Sequence, residues 1–421
     1  MYLFKTTAAL VLALAAANAA DGSTAANTNF IHRLIGEAVT KHPKVGAADA
    51  RTQAAASAAR GVRLWQDPQV GLGMMAANNM RRRVRGDILA SIDQPLPRLS
   101  LYKAEKRKAN AAELAQQATQ QQTANELGLS VAQAVLELAL ADEVIRLQAE
   151  NLAWLGTLVK TAEERSKNPN ATATETLRLE SEFAVRAQTL ASAKRQRAQF
   201  ATTLNLLLVR PPEAPWAPLM LPAHAEEIFN SIVLKVRLER DNPQLGAMRH
   251  MVEGAQAEAD AARARKKPVF SVGTQYFTYS GGSINDSMLV FGFKMTLPWF
   301  NSRVYKADIE RADHLRAASQ QDLDAEQREL YTQLTALITE AKNQQQLAEA
   351  YTDEVLPKSE QAIKTLQNAW VSSKATLLEV LDAQRLLLDA RQEQKRALAA
   401  RHAASYSLSA LVGGLTKTPI R

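Results

Sequence analysis

Residues 268–299 read PVFSVGTQYFTYSGGSINDSMLVFGFKMTLPW. Aromatic and β-branched residues are concentrated in 268–280 and again in 287–299, a composition typical of β-strands. The Gly-rich segment 280–283 lies between the two runs and favours a turn. The sequence therefore predicts a β-hairpin in the second half of the chain.

Each predicted strand alternates between apolar and polar residues. Phe291 and Phe293 lie on one face of the second strand, and Gly292 and Lys294 lie on the other. The strands have about 10 to 13 residues, which is the length that a tilted membrane-spanning strand needs. The first half contains a weaker copy, whose apolar positions are Val70, Leu72, Met74, Ala76, Ile88, Ala90 and Ile92.

Four strands cannot form a closed membrane sheet by themselves. Small barrels need about eight strands, and an open sheet edge is not tolerated in lipid. Further copies of the chain are expected to complete the sheet. Two copies would supply eight strands and three would supply twelve, and the strand pattern does not distinguish between them.

The chain repeats itself with an offset of about 200 residues. His42-Pro43 returns as Asn242-Pro243, Asp67-Pro68 as Lys267-Pro268, and Leu96-Pro97 as Leu297-Pro298. The prediction is a signal peptide, a first repeat, a Pro-rich connection, a second repeat and a short tail. These segments are 1–19, 20–210, 211–240, 241–414 and 415–421, respectively.

Long helices follow each pair of predicted strands, in a chain rich in Ala, Gln and Glu. The longest would each measure about 100 Å at 1.5 Å per residue, which is too long for a compact globule. Periodicity alone also fits an ordinary coiled coil or helical bundle. The predicted helices are 41–66, 100–166 and 172–208 in the first half, and 241–267, 302–371 and 376–411 in the second.

The N-terminus resembles a secretory signal, with Lys5 before a short apolar core and an Ala17-Asn18-Ala19 cleavage site. No later stretch approaches the roughly 20 apolar residues of a membrane helix. The chain has no cysteine, which excludes disulfides and lipidation at an N-terminal cysteine. The net charge of +8 is spread along helices that also carry acidic residues, so no nucleic-acid partner is expected.

An enzymatic function is not expected. The sequence contains no phosphate-binding glycine loop, no nucleophile elbow and no HExxH motif. Its six histidines show no paired spacing, so neither a metal site nor a cofactor is predicted.

A basic cluster lies in the predicted loop of the first hairpin. It is formed by Arg81, Arg82, Arg83 and Arg85. The cluster fits a solvated loop tip, and it also fits contact with lipopolysaccharide phosphates at the outside of the cell, since arginine forks suit phosphate groups.

Three local strings, together with the order of elements, resemble the TolC family of outer-membrane efflux proteins. The strings are WVSSKATLLEVLDAQR at 370–385, LPWFN at 297–301 with its counterpart QPLP at 94–97, and the doubled X-Pro helix start at 42–43 and 242–243. The similarity extends from about Phe30 to Gly414. It implies a mainly α chain with a small membrane β part, and a homotrimer that shares a twelve-stranded barrel and a tunnel of coiled-coil helices.

The resemblance also implies a location and partners. The barrel would lie in the outer membrane of a Gram-negative cell, in contact with lipid, and the helices in the periplasm. A periplasmic adaptor and an inner-membrane pump of the RND type would supply the substrate. The LPWFN string and the short tail look most like the heavy-metal branch of CzcC and CusC. Alternatives are a duct for drugs or for type I protein secretion, and a secreted coiled-coil scaffold.

Matching the family's tip places Glu379 and Asp382 at the pore entrance, where three copies would form carboxylate rings that favour cations. Glu175 occupies the equivalent position in the first half, but Arg178 stands where a second acid would be. An alternative interpretation is that these are ordinary acids at a helix start. The turns expected to contact the adaptor contain Asn168, Pro169, Ser372, Ser373 and Lys374.

Overall fold

The computed structural model describes residues 24–75, 87–166, 173–222, 230–281, 284–372 and 374–415. The helices, α1 to α9, are Thr28–Lys41, Pro43–Arg60, Leu99–Ser166, Ala173–Leu207, Ser231–Asp241, Pro243–Arg265, Ser302–Ala350, Leu356–Val371 and Leu377–Leu411. Strands β1 to β6 are Thr24–Ala25, Gln69–Met75, Asp87–Pro95, Leu219–Met220, Phe270–Gly281 and Ile284–Met295. A 3-10 turn covers Pro298–Asn301, and a π-helical turn covers Tyr351–Val355.

The predicted fold class, mainly α with a small β part, is confirmed. Four strands form one antiparallel sheet in the order β2-β3-β5-β6. The two hairpins come from different halves of the chain and are joined where β3 pairs with β5. A second, minor sheet pairs β1 with β4 in parallel, and the sequence pattern did not predict it.

The helix before each hairpin differs from the prediction. The predicted helices 41–66 and 241–267 are the single helices Pro43–Arg60 and Pro243–Arg265, and each follows a separate helix that ends just before the X-Pro pair. His42 and Asn242 have extended backbone angles, with ψ 129° and ψ 121°, because a residue before proline avoids the helical region. The repeated Pro43 and Pro243 therefore mark junctions between two helices.

The second long helix is also interrupted. The prediction was one helix over 302–371, and the structure contains a π-helical turn at Tyr351–Val355. Pro357 explains it, since a proline ring clashes with the carbonyl four residues earlier and a wider turn relieves that clash. Helix α3, at the equivalent place in the first half, has no proline and is continuous for 68 residues.

The chain divides into two compact units. The first contains Met1–Gly46, Gln122–Asn242 and Glu329–Arg421, and the second contains Ala47–Gln121 and Pro243–Arg328. Both predicted repeats contribute to both units. The first unit has an aliphatic core that includes Ile31, Val135, Leu138, Leu204 and Leu208, all fully buried.

The connection between the halves contains more structure than predicted. Helix α5 begins at Ser231, inside the predicted connection 211–240, because the prolines end at Pro222 and the Asn230 side chain caps the amides of Ile232 and Val233. The Pro-rich part itself lacks regular structure between residues 210 and 218.

The second unit packs its helices through small residues. Ala259, Ala262 and Ala312 form an alanine contact between α6 and α7, which brings two helix axes close together. Ion pairs flank the helices, including Arg107–Asp260 at 2.5 Å and Arg263–Asp313 at 2.6 Å.

No helix in the described ranges combines the length and the apolar character that a membrane crossing requires.

Candidate functional site

The sheet of the second unit has one face composed almost entirely of exposed apolar side chains. Cross-strand pairing places Val70 opposite Ile92, and Leu72 opposite Ala90, on this face. Leu72 is 81% exposed and Phe291 is 76% exposed. The further members are Met74, Ile88, Phe270, Val272, Tyr276, Leu289, Phe293 and Met295, which are exposed as well.

This arrangement confirms the alternation that the sequence predicted. Soluble proteins rarely expose an apolar surface of this extent, so the face requires lipid or protein against it. Within the described residues, strands β2 and β6 each pair on one side only. The sheet therefore presents two edges at which further strands can be added.

The opposite face is polar only in the half closer to the helices. Ser91 pairs with Gln275 there, and Asp93 pairs with Gly273. Farther from the helices, this face carries Phe277 and its neighbours Leu89 and Met288. The predicted separation of apolar and polar faces thus holds for the end of the sheet that joins the helices.

The turn between α8 and α9 is a compact, hydrogen-bonded structure in the first unit. The amide of Ser372 donates to the carbonyl of Asn368 at 3.1 Å, and the amide of Lys374 donates to Ala369 at 2.7 Å. Ser372 and Lys374 are both exposed. The other residues predicted to contact an adaptor, Asn168, Pro169 and Ser373, lie outside the described residues, as do Arg81, Arg82, Arg83 and Arg85 of the basic loop.

Glu379 forms a capping box with Thr376 at the start of α9. The Thr376 hydroxyl accepts a hydrogen bond from the Glu379 amide, and the Glu379 carboxylate accepts one from the Thr376 amide at 2.7 Å. Hydrogen bonds from the Thr376 backbone and side chain lower the pKa of Glu379. The carboxylate is thus ionised and held against its own helix, as in the helix-start interpretation.

Asp382 lies one turn further along α9 and is exposed. Arg385 donates to Asp382 at 3.5 Å and to Glu182 of α4 at 2.8 Å. Burial alone would raise the pKa of Glu182, but hydrogen bonds from Arg385 and Arg186 outweigh burial and lower it. The negative charge of Asp382 is therefore partly compensated by the Arg385 guanidinium.

Within the first unit, one apolar cluster packs the end of the helix pair α3 and α4 against the end of the helix pair α8 and α9. It combines Leu155 and Leu158 of α3 with Leu179 of α4, and Trp370 of α8 with Leu377 of α9. Trp370 is only 2% exposed. Four helices thus share one core at the end where Glu175 and Glu379 begin their helices.

Glu175 lies in the first turn of α4 and is half-buried, and Arg178 is exposed one turn later. The structure thus places Glu175 and Glu379 at equivalent positions of two helices that share a core. Sequence reasoning missed the Glu182–Arg385 ion pair because its partners are 203 residues apart. The i, i+4 spacing of Glu182 and Arg186 was the only local signal.

A resident metal site is not visible in the described ranges, where no three His, Cys, Asp or Glu side chains converge. His402 is buried, and burial lowers its pKa. Its Nε2 lies 3.2 Å from the carbonyl of Pro222, so the ring has a structural contact.

With this geometry established, comparison with known proteins identifies the second half of the chain. Residues 235–414 match the family described as "Outer membrane efflux protein". The matched range contains β5, β6 and helices α6 to α9. None of the curated proteins matches the chain.

The whole chain has the fold of solved outer-membrane channels. It is similar to the outer-membrane channel OprN, with a TM-score of 0.80, 16% identity, and coverage of 91% of this chain and 90% of that one. It is similar to CusC, with a TM-score of 0.79, 18% identity, and coverage of 94% and 95%. It is also similar to the outer membrane protein VceC from Vibrio cholerae, with a TM-score of 0.77, 16% identity, and coverage of 92% and 97%.

Proposed function

We propose that this protein is the outer-membrane channel subunit of a tripartite efflux system. Three copies would close the shared barrel, and a periplasmic adaptor and an inner-membrane pump would deliver the substrate. The match of residues 235–414 to an outer membrane efflux family agrees with the prediction that the chain is not an enzyme.

The observation that carries the proposal is the exposed apolar face of the four-stranded sheet. Val70, Leu72, Phe291 and Phe293 are all more than 60% exposed in a single chain. Burying such surface contributes about 25 cal/mol per Å², so exposure to water would be costly. Lipid on this face, and sister strands at both edges, would satisfy the apolar groups and the unpaired backbone groups together.

We further propose that the cargo is a heavy-metal cation. The support is the resemblance of the LPWFN string to the heavy-metal branch, because the fold matches OprN and CusC almost equally well. A channel needs no resident metal site for such a cargo, since conduction requires that ions leave as readily as they enter. The acids at the tip, Glu379 and Asp382, would then favour cations at the entrance.

The channel proposal is tested by purifying the protein from membranes in detergent and reconstituting it in planar bilayers. The expected result is a trimer by light scattering and discrete conductance steps. A water-soluble monomer with native helical content would contradict the proposal.

The cargo is tested separately in the native host. Deletion of the coding sequence is expected to sensitise cells to divalent heavy-metal salts, and a plasmid copy is expected to restore growth. Sensitisation to drugs or detergents alone would retain the channel and reject the metal cargo.

A further inference from the structure

Asp93 and Lys294 form an ion pair that crosses a strand of the sheet. Asp93 is on β3 and Lys294 is on β6, and β5 runs between them. The Lys294 Nζ lies 2.6 Å from the Asp93 Oδ2. The two residues are 201 positions apart in the sequence and belong to different halves of the chain.

Glycine in the intervening strand makes the contact possible. Gly273 of β5 pairs with Asp93 on one side and with Gly292 on the other. A Cβ atom at Gly273 would lie 2.1 Å from the Asp93 Oδ1 and 2.8 Å from the carbonyl oxygen of Ile92. The carboxylate therefore occupies the space that any other residue at position 273 would fill.

The pair lies on the polar face, close to the end of the sheet where β3 leads into α3. Asp93 is mostly covered, with 21% of its side chain exposed, whereas Lys294 remains 54% exposed. Ser271 of β5 pairs with Lys294 and contributes only an uncharged hydroxyl next to the ion pair. Among the described residues of the four strands, Lys294 is the only cation and Asp93 is the only acid whose side chain is described.

We infer that Asp93 neutralises Lys294, so that the inner wall of the channel does not repel cations at this level. The inference rests on the proposed function, because the polar face becomes an inner wall only when sister copies close the sheet. Three copies would bring three Lys294 ammonium groups to one level of the pore. Without the carboxylates they would form a ring of positive charge, the kind of ring that favours anions.

The magnitude of the effect follows from Coulomb's law. In water, a unit charge about 8 Å from a passing ion changes the local concentration of that ion about twofold, and screening by salt reduces this change to about 1.5-fold. A ring of three such charges is therefore expected to change the cation-to-anion permeability ratio by about threefold or more. This is large enough to measure from the reversal potential in a salt gradient.

The experiment measures the cation-to-anion permeability ratio in planar bilayers, with trimers purified from membranes, for two single variants and their double variant. D93N keeps the shape of the side chain and its acceptor oxygen but removes its charge, and the permeability ratio is expected to fall about threefold. K294Q leaves Asp93 unpaired, and the ratio is expected to rise. The double variant D93N/K294Q removes both charges and is expected to return close to the ratio of the unsubstituted protein.

Two outcomes overturn the inference. Conducting D93N and K294Q trimers with unchanged ratios would show that the pair does not act on passing ions, and the proposed function would stand. Absence of any conductance by the unsubstituted protein would remove the proposed function together with this inference. If D93N fails to assemble, K294Q and the double variant decide the question, because neither retains an uncompensated lysine.

Discussion

Asn205 shows how one buried side chain can hold a segment that has no regular structure. It is fully buried, and its amide nitrogen donates to the carbonyls of Pro212 and Ala214 at 3.0 and 2.9 Å. Its amide oxygen accepts a hydrogen bond from the Trp216 indole at 2.7 Å. Because proline supplies no amide hydrogen, the Pro-rich connection depends on such side chains for its backbone contacts.

Glu37 makes the stability of the same region dependent on pH. The hydrogen bond from Arg210, at 2.6 Å, lowers the pKa of Glu37 most, and the hydrogen bond from Lys41 lowers it further. A lowered folded-state pKa stabilises the fold above the ordinary pKa of a glutamate, and this contribution is lost as the pH falls toward the lowered value. E37Q is expected to reduce the loss of stability between about pH 5 and pH 3, measured as the urea midpoint in detergent.

The matched control for E37Q is E213Q, which replaces an exposed glutamate in the Pro-rich connection. Its acid sensitivity should equal that of the unsubstituted protein. Equal acid sensitivity of E37Q and E213Q would show that the Arg210 ion pair does not contribute.

The charges at the tip can be tested without disrupting the helix start. Glutamine replaces glutamate in a capping box, so E379Q keeps the hydrogen bonds and removes the charge. E379Q combined with D382N is expected to lower the cation preference of the reconstituted channel by about twofold. The reversal potential in a salt gradient measures this effect.

R178Q, near the start of α4, removes a cation and is expected to raise the cation preference of the channel. An unchanged ratio in both tip variants would assign Glu379 and Asp382 to helix capping alone.

Helix boundaries in this protein are set by local chemistry that recurs in both halves. The X-Pro pairs end α1 and α5, since each preceding residue adopts an extended backbone. Side-chain caps begin other helices, as Asn27 does for α1 through the Phe30 amide at 2.9 Å. These signals lie within a few residues of the boundary, and they are therefore readable without knowledge of the fold.

The capping box at the start of α9 is expected to slow amide hydrogen exchange in the first turn of that helix. T376A removes the hydroxyl that accepts a hydrogen bond from the Glu379 amide. Loss of a cap lowers the equilibrium constant for forming the end of a helix by about fivefold. Amide hydrogen exchange at Glu379 is expected to accelerate by about that factor. T376S, which keeps the hydroxyl, should exchange at the original rate; acceleration in T376S as well would assign the effect to the lost methyl group.

The proposed assembly of the whole molecule can be tested at the apolar face of its sheet. Phe291 is 76% exposed on that face, and a lysine there would sit in lipid at a cost of about 2 to 4 kcal/mol near the membrane midplane. F291K is therefore expected to lose the trimer from the outer-membrane fraction. The measurement is the yield of trimer extracted from that fraction.

Q275K is the control for F291K, because Gln275 pairs with Ser91 on the polar face. It should assemble normally, since a charge on that face remains in contact with water. Normal assembly of F291K would contradict the assignment of the apolar face to lipid.

Much of the architecture followed from the sequence by itself. The alternation around Phe291 and Lys294 predicted which side chains share a face, because successive residues of a strand point to opposite sides. The 35-residue helices α4 and α9 were predicted to within one residue at each end, because periodicity and caps are local signals. The efflux family was recognisable from strings such as WVSSKATLLEVLDAQR, which lies within the matched range 235–414.

Only the tertiary structure decided which distant groups meet. The Asp93–Lys294 and Glu182–Arg385 ion pairs each join residues more than 200 positions apart. Strand register and helix packing bring these side chains together, and no local pattern specifies either one. The sequence suggested two acids at the tip, and only the packing of α4 near α9 revealed that Arg385, which donates to Asp382, also donates to Glu182.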